Sequence, residues 1–383
     1  MSRRRKPRVA VLFGGQSAEH EVSLQSAKNV VDAIDPAKYD VVLIGIDRTG
    51  RWHLAEGTRY LLDSGDPRRI RLEPSRRGIA LVPGQRTDLV EMPDEGARRD
   101  EPGSVPPLDV VFPVLHGPLG EDGTVQGLLR LAHIPFVGAG VLGSAIGMDK
   151  DVSKRLLRDA GIPVTRFVTL RAADRRPDFD ELVERVGRPF FVKPANMGSS
   201  VGVRKVQDAA GAEAALDEAF SYDAKVLVEE FVRGREIECA VLGNEHPEAS
   251  VPGEIVPRHE FYSYEAKYLD ERGADLVIPA DLDDETTRRV RDLALRTFQA
   301  LCCEGMARVD FFLREHGEIV VNEINTIPGF TRISMYPKLW AASGVPYPEL
   351  IDRLLELALE RAGREAGLRS AIDPARLAAD EGE

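Results

Sequence analysis

The chain reads as α/β and α+β in three parts: an N-terminal parallel-sheet domain, a small central domain and a C-terminal mixed-sheet domain. Three observations lead there. The first third alternates apolar, strand-like runs with a helically spaced segment. A glycine- and serine-rich loop lies between two strand-like runs in the middle. Near the C-terminal end, two long apolar runs flank a short polar turn, which is a hairpin signal. The length of 383 residues and an apolar content of 43% allow two or three domains with packed cores.

In order along the chain, "RVAVLFGG" is a strand, "AEHEVSLQSAKNVVDAI" has helical spacing, and "YDVVLIGI" and "LDVVFPVLHG" are strands again. This alternation predicts a parallel sheet with crossover helices over residues 1–148. Residues 48–107 interrupt it with Arg, Asp, Gly and Pro and read as a surface excursion with short strand-like pieces such as "GIALVP". Residues 149–232 form the central unit: helix "DKDVSKRLLRDA", strand "FFVKPA", the small-residue loop, strand "VGVRKV", helix "AAGAEAALDEAF" and strand "KVLVEEFV". Residues 233–366 hold mixed strands near 235–280, a helix near 283–302, the hairpin and the helix "YPELIDRLLELALERA". The tail 367–383 has no apolar face to bury and is expected to be loose.

A formal charge of −12 excludes a nucleic-acid or anionic-membrane partner, both of which need a basic footprint. It leaves room for a small phosphate-bearing ligand, which local groups hold. No apolar run approaches transmembrane length, and "MSRRRKP" lacks the apolar stretch of a signal peptide, so the protein reads as cytoplasmic. Cys239, Cys302 and Cys303 are odd in number and without metal-ligand spacing, which points to reduced core residues.

The hairpin "ARVDFFLREHGEIVVNEINTIPG" raises the first chemical question, because its strands carry Arg308, Asp310, Glu323 and Asn325. Alternation sets Arg308 and Asp310 on one face, and Glu323 and Asn325 likewise. A turn centred on "REHG" sets Asp310 opposite Val321 and Arg308 opposite Glu323, with all four polar side chains on one face of the ribbon. Two carboxylates and an amide oxygen suit Mg²⁺, with Arg308 neutralising residual charge. The structural alternative is a salt-bridged surface face with Arg308 paired to Glu323, and spacing alone favours neither.

Phosphate-binding parts lie elsewhere in the chain. In "FFVKPANMGSSVGV", Lys193 ends a strand and a small-residue loop from Ala195 to Gly202 follows, so backbone N–H groups can close around phosphate oxygens. It is not a Walker loop, since no GK[ST] follows. Lys150, at a helix start, is a second candidate phosphate contact. Glu229 and Glu230 at a strand end, with Glu236 beyond, are candidates for a nucleoside: backbone groups for adenine, carboxylates for ribose. A solvated strand end is the bland alternative.

Together these motifs resemble the ATP-grasp fold and, within it, the D-alanine–D-alanine ligase family. The resemblance runs through "VLFGGQSAEHEVSLQSA", "HGPLGEDGTVQG", "GSAIGMDK", "VKPANMGSSVGV", "FYSYEAKY" and "MARVDFF…NEINTIPGFT". It covers nearly all of the chain outside 48–107 and both tails. The resemblance implies an ATP-dependent ligation through an acyl phosphate, for peptidoglycan precursors. Metal ligands would be Asp310, Glu323 and Asn325, holding two Mg²⁺ ions, with Mn²⁺ able to substitute. ATP contacts would fall to Lys150, Lys193, Ser199, Ser200, Glu229, Glu230, Val232, Glu236, Lys267 and Asn322. Glu19, linked to Ser199 and Tyr268, would take the ammonium of the first D-alanine, near His116. Arg308 and the backbone around Gly329 would stabilise the oxyanion, and Ser334 with the Met335 backbone would bind the second carboxylate. "HEFYSYEAKYLDERG" would be a lid that excludes water, and its Tyr268 favours an amine as second nucleophile over D-lactate. The resemblance also allows a homodimer. Rival readings are a D-lactate or D-serine ligase, a non-catalytic nucleotide sensor, and an oxidoreductase suggested by "VLFGG", which lacks the third glycine of that fingerprint.

Overall fold

The first apolar run is the centre of a sheet, as its composition requires. A computed structural model describes residues 5–55, 60–63, 66, 69–73, 77–82, 89–92, 107–258 and 274–368. In the N-terminal region β1 (Arg8–Gly14) leads to α1 (His20–Ala33) and β2 (Asp40–Ile46). Then come β3 (Trp52–Leu54), β4 (Leu61–Leu62), β5 (Arg71–Leu72), β6 (Gly78–Leu81), β7 (Leu89–Met92) and β8 (Val110–Val114), followed by α2 (Thr124–Leu131) and α3 (Val141–Met148). β1 pairs in parallel with both β2 and β8. Residues 9–14 of β1 and all of β8 are buried, so these strands read as unbroken apolar runs rather than alternating ones. α1 turns Leu24, Ala27 and Val30 onto the same core.

Residues 48–107 differ from the surface excursion expected of them. Where described, they extend the sheet in the order β7-β6-β3-β2-β1-β8, with antiparallel joins from β2 outward. Leu54, Tyr60, Ile70, Ile79 and Leu89 are buried. Strands of two to four residues are too short to display a period, so apart from "GIALVP", which contains β6, they do not stand out in the sequence.

The central unit holds α4 (Lys150–Asp159), β9 (Phe167–Arg171), α5 (Phe179–Val186), β10 (Phe190–Pro194), β11 (Arg204–Val206), α6 (Ala209–Tyr222) and β12 (Lys225–Glu230). Its antiparallel sheet runs β11-β10-β12-β9. Side-chain caps start its helices: Asp149 accepts from the Val152 N–H, Asp208 from Gly211, and Asp178 with Glu181 forms a capping box.

The C-terminal region contains β13 (Gly234–Gly243), β14 (Glu248–Ala249), β15 (Gly253–Pro257), β16 (Ala274–Val277), α7 (Asp284–Ala300), β17 (Gly305–Arg314), β18 (Ile319–Asn325), α8 (Met335–Ala342) and α9 (Tyr347–Ala366). The sheet order is β16-β15-β13-β17-β18, with β14 beside β13. α7 lays Val290, Ala294 and Phe298 against it. Cys239 and Cys303 are buried as expected of core thiols, whereas Cys302 is exposed, at φ 55 in the turn that ends α7.

Phe330 ties this region to the N-terminal sheet. It is fully buried and packs edge-on against Phe112 of β8, at 5.6 Å between centroids, and against Tyr336 and Tyr347. Its backbone receives Asn29 and Tyr347 at the carbonyl and donates to Ser26 Oγ. Removing such a ring costs about 3–5 kcal/mol. The loop between β18 and α8 is thereby held across the ends of β1 and β8.

Candidate active site

The first site element lies where the parallel strands end. β1 runs between β2 and β8, so the chain departs to opposite sides there, and a crevice opens beyond the carboxyl ends. Gly14 and Gly15 (φ 92 and 96) make the turn out of β1, and a Cβ on Gly14 would sit 2.1 Å from the Ile46 carbonyl oxygen. Glu19 follows at the N-cap of α1, only 6% exposed. Its carboxylate accepts the Ser199 hydroxyl from the central loop. Ideal Cβ positions at Gly117 and Gly198 lie 2.7 and 2.8 Å from Glu19 Oε2, so two glycines form a slot around that oxygen.

His116 lies two residues past the end of β8 and is buried. Its Nδ1 lies 3.0 Å from the Ile327 carbonyl and its Nε2 3.2 Å from Ser26 Oγ. Burial lowers its pKa, with Glu19 pulling the other way, so the ring is neutral; Nδ1–H donates to Ile327 and Nε2 accepts from Ser26. Glu121, in the same motif, was not singled out by sequence reasoning. It accepts the Gly117 N–H at 2.9 Å and lies 3.4 Å from the Ile327 N–H. Burial and then the nearby Glu19 push its pKa up to about 8, which leaves it protonated at neutral pH.

The central loop supplies the second element. Ser199 (φ 50), Ser200 (φ 60) and Gly202 (φ 68) turn its backbone through the left-handed region. Lys150 Nζ donates to the Met197 carbonyl at 2.8 Å and stands 3.7 Å from Glu323. Lys193 is nearly buried and paired with Glu229, which also takes Lys154 at 2.5 Å. Burial alone would raise the Glu229 pKa, but Lys154 and Lys193 hold it at about 2. Glu230 is paired with Arg314 at 2.6 Å and Arg166 at 3.0 Å. Both carboxylates expected at a ribose are thus paired with lysine or arginine, and Glu236 lines the cavity beside them. The backbone of β12 and Val232 remain at the cavity.

The hairpin is the third element, and its register differs from the expected one. Asp310 faces Glu323 and Arg308 faces Asn325, whereas Phe311 faces Val321. The pairing skips Asn322, so Asn322 is the extra residue of a β-bulge. The expected pairs Asp310–Val321 and Arg308–Glu323 miss by two residues: the turn closes with Arg314 against Glu318, one residue beyond a turn centred on "REHG", and the bulge, invisible to alternation, adds the second. The four polar residues nevertheless share a face, because the extra residue restores the parity that a regular ladder would have lost. Glu238 of β13 faces Asp310, which makes a row Glu238–Asp310–Glu323 across three strands. Arg308 offsets their repulsion: its guanidinium chelates Asp310 with two 2.7 Å contacts and lies 2.9 Å from Glu238. Where the salt-bridge alternative sets Arg308 opposite Glu323, Arg308 pairs with Asp310 and Glu238, and Glu323 faces Asp310. Asn325 Nδ2 donates to Asp310 at 2.9 Å.

Ser334 caps the loop after the hairpin and precedes α8. It accepts the Thr331 N–H at 3.0 Å, and a Cβ on Gly329 would lie 2.6 Å from its hydroxyl oxygen, so only glycine fits there without moving Ser334.

These elements enclose one cavity of about 310 Å³. Glu19, His116, Lys150, Lys193, Ser199, Ser200, Glu229, Glu230, Val232, Glu236, Arg308, Asp310, Asn322, Glu323, Asn325, Gly329, Ser334 and Met335 all line it. Lys267, Tyr268 and the expected lid lie outside the described residues. Sequence reasoning missed Glu121, Glu238 and Lys154. Two carried a readable signal: Glu238 shares a strand face with Glu236, and Lys154 sits one helical turn after Lys150.

The donor set Asp310, Glu323 and Asn325 fits a hard divalent cation, since it offers carboxylate and amide oxygen side by side on one sheet face. Among the described residues no helix is long and apolar enough to cross a membrane.

Comparison with known proteins agrees with this geometry. Two family models match, "D-ala D-ala ligase N-terminus" over residues 8–139 and "D-ala D-ala ligase C-terminus" over residues 156–356. A D-alanine–D-alanine ligase of Shouchella clausii is 55% identical, with 96% of this chain and 98% of that protein covered. The solved D-alanine-D-alanine ligase from Coxiella burnetii superposes with a TM-score of 0.80 at 41% identity, covering 95% of this chain and 97% of that one. VanG D-Ala:D-Ser ligase from Enterococcus faecalis gives 0.78 at 35% identity, covering 92% and 100%. With both halves matched and the relatives aligned nearly end to end, the chain belongs to the D-alanine–D-alanine ligase family.

Proposed function

We propose that this cavity joins two D-alanine molecules into D-alanyl-D-alanine with ATP as co-substrate, for peptidoglycan precursor synthesis. The observation that carries the reading is the convergence of the ammonium, phosphate, metal and carboxylate candidates on one cavity. A carboxylate is a poor electrophile, so the first D-alanine carboxylate attacks the γ-phosphorus of ATP, the bond to the bridging oxygen breaks, and ADP leaves. The amine of the second D-alanine, unprotonated, then attacks the acyl carbon; phosphate departs and the amine loses a proton.

Glu19 takes the ammonium of the first D-alanine, held by the Ser199 hydroxyl and by the slot between Gly117 and Gly198. Lys150, Lys193 and the backbone of the loop around Ser199 and Ser200 receive phosphate oxygens. Arg308, oriented by Asp310 and Glu238, and the backbone at Gly329 stabilise the oxyanion that forms when the amine adds. Ser334 and the start of α8 at Met335 offer a hydroxyl and helix-terminal N–H groups to the second carboxylate. Asp310, Glu323 and Asn325 would hold Mg²⁺, with two ions as the expected number and Mn²⁺ able to replace it. The cation supplies charge neutralisation on the phosphate oxygens.

The test is phosphate release by purified protein with ATP, Mg²⁺ and D-alanine. Release no greater than that without amino acid defeats the reading. Product analysis with D-serine and D-lactate in competition identifies the second substrate.

A further inference from the structure

Lys154 has no place in the roles above, yet it is among the most buried side chains in the protein, 1% exposed. It projects from α4, one turn after Lys150, and does not line the cavity. Its ammonium has three partners for three protons: Thr165 Oγ1 at 2.8 Å, the Asn322 carbonyl at 2.9 Å and Glu229 Oε1 at 2.5 Å. Thr165 in turn donates to the same Glu229 oxygen, and the other Glu229 oxygen takes Lys193. Two lysines thus share one carboxylate, a local charge of +1 beside the loop that would receive phosphate.

The third partner matters because Asn322 is the bulge residue, whose backbone has no place in the β17–β18 ladder. Lys154 binds the carbonyl released there, directly before Glu323. Segment 163–165 also touches β18 on this side: the Val321 N–H donates to the Pro163 carbonyl at 2.8 Å, and Val164 bridges Val321. A single buried ammonium therefore joins the acidic end of β12 to the strand that carries Glu323 and Asn325.

We infer that Lys154 is a positioning residue for the nucleotide: it keeps Glu229 paired when Lys193 swings to a phosphate oxygen, and it pins the bulge beneath the metal-ligand strand. Without Lys154, Lys193 is the only cation paired with the buried Glu229 carboxylate among the described residues, and releasing it to ATP would leave a buried charge uncompensated. This inference rests on the nucleotide reading of the cavity.

The test is a double-mutant cycle on nucleotide affinity, with ADP–Mg²⁺ binding followed by calorimetry. Lys154→Met is expected to weaken binding by at least about tenfold while the D-alanine KM in turnover moves less than about twofold. Glu229→Gln removes the charge that competes for Lys193, so Lys154→Met added to that background should cost less than about threefold. Unchanged affinity in Lys154→Met, or an equal loss in both backgrounds, overturns the inference. Should Lys154→Met fail to fold, Glu229→Gln alone decides: affinity at least equal to wild type supports the release of Lys193, and weakened affinity refutes it. Failure of the wild-type protein to bind ADP would instead refute the nucleotide reading itself.

Discussion

Gly198→Ala separates function from stability at the first-substrate slot. The new Cβ would stand 2.8 Å from Glu19 Oε2, against 3.4 Å for ordinary contact, so the carboxylate must yield by about 0.6 Å. Gly198 is not among the residues at positive φ, so alanine adds no backbone strain. The collision is with the far end of a side chain, and the cost to stability should stay below about 1 kcal/mol. Catalysis is less forgiving, because a displacement approaching 1 Å at a positioned group costs up to about 100-fold. The expected outcome is a fall of about 10- to 100-fold in kcat/KM for D-alanine, with thermal unfolding nearly unchanged. D-alanine kinetics equal to wild type in a folded variant would refute the slot. A parallel collapse of ATP binding would show that the alanine distorts the loop rather than Glu19.

Glu323→Ala should abolish Mg²⁺-dependent phosphate release while circular dichroism and unfolding stay close to wild type; unfolding of the variant would return the hairpin to a structural role. Glu121 retains its proton in the folded state up to about pH 8 while the unfolded carboxyl loses it near 4.5, so its contribution to stability falls as pH rises across that window. Glu121→Gln should flatten the decline of Tm over that range, and parallel curves would remove Glu121 as its cause. Arg361 of α9 is buried, donates to the Phe136 and Gly138 carbonyls and stacks 4.5 Å from the Phe136 ring. Arg361→Met should destabilise by about 3 kcal/mol by leaving those carbonyls without donors; an unchanged denaturation midpoint would show that water replaces it.

Local patterns were legible and long-range ones were not. The strands β1, β2 and β8 announce themselves as apolar runs, and the glycine–serine loop and the Asp…Glu-x-Asn hairpin as breaks in otherwise apolar stretches. Every described residue named from those motifs lines the cavity. Hidden were the pairings that depend on distant segments. Nothing near Lys193 shows that Glu229, 36 positions on, takes its ammonium, nor near Glu230 that Arg314 does. β9 and α5 escaped notice because five- and eight-residue elements with mixed composition give little period to detect. The hairpin register failed for a different reason: a turn one residue longer than expected and one unpaired residue each shift the match between strands without changing any residue type.

That one residue also decides which way the chemistry points. With Phe311 opposite Val321, an uninterrupted ladder would carry Glu323 and Asn325 to the side of Val309, into the hydrophobic cluster it shares with Phe311 and Ile324. Deleting Asn322, by contrast, would leave Asp310 opposite Glu323 and Arg308 opposite Asn325, and would remove the carbonyl that Lys154 binds. Such a chain would keep its cation-binding wall and lose one tie between that wall and α4.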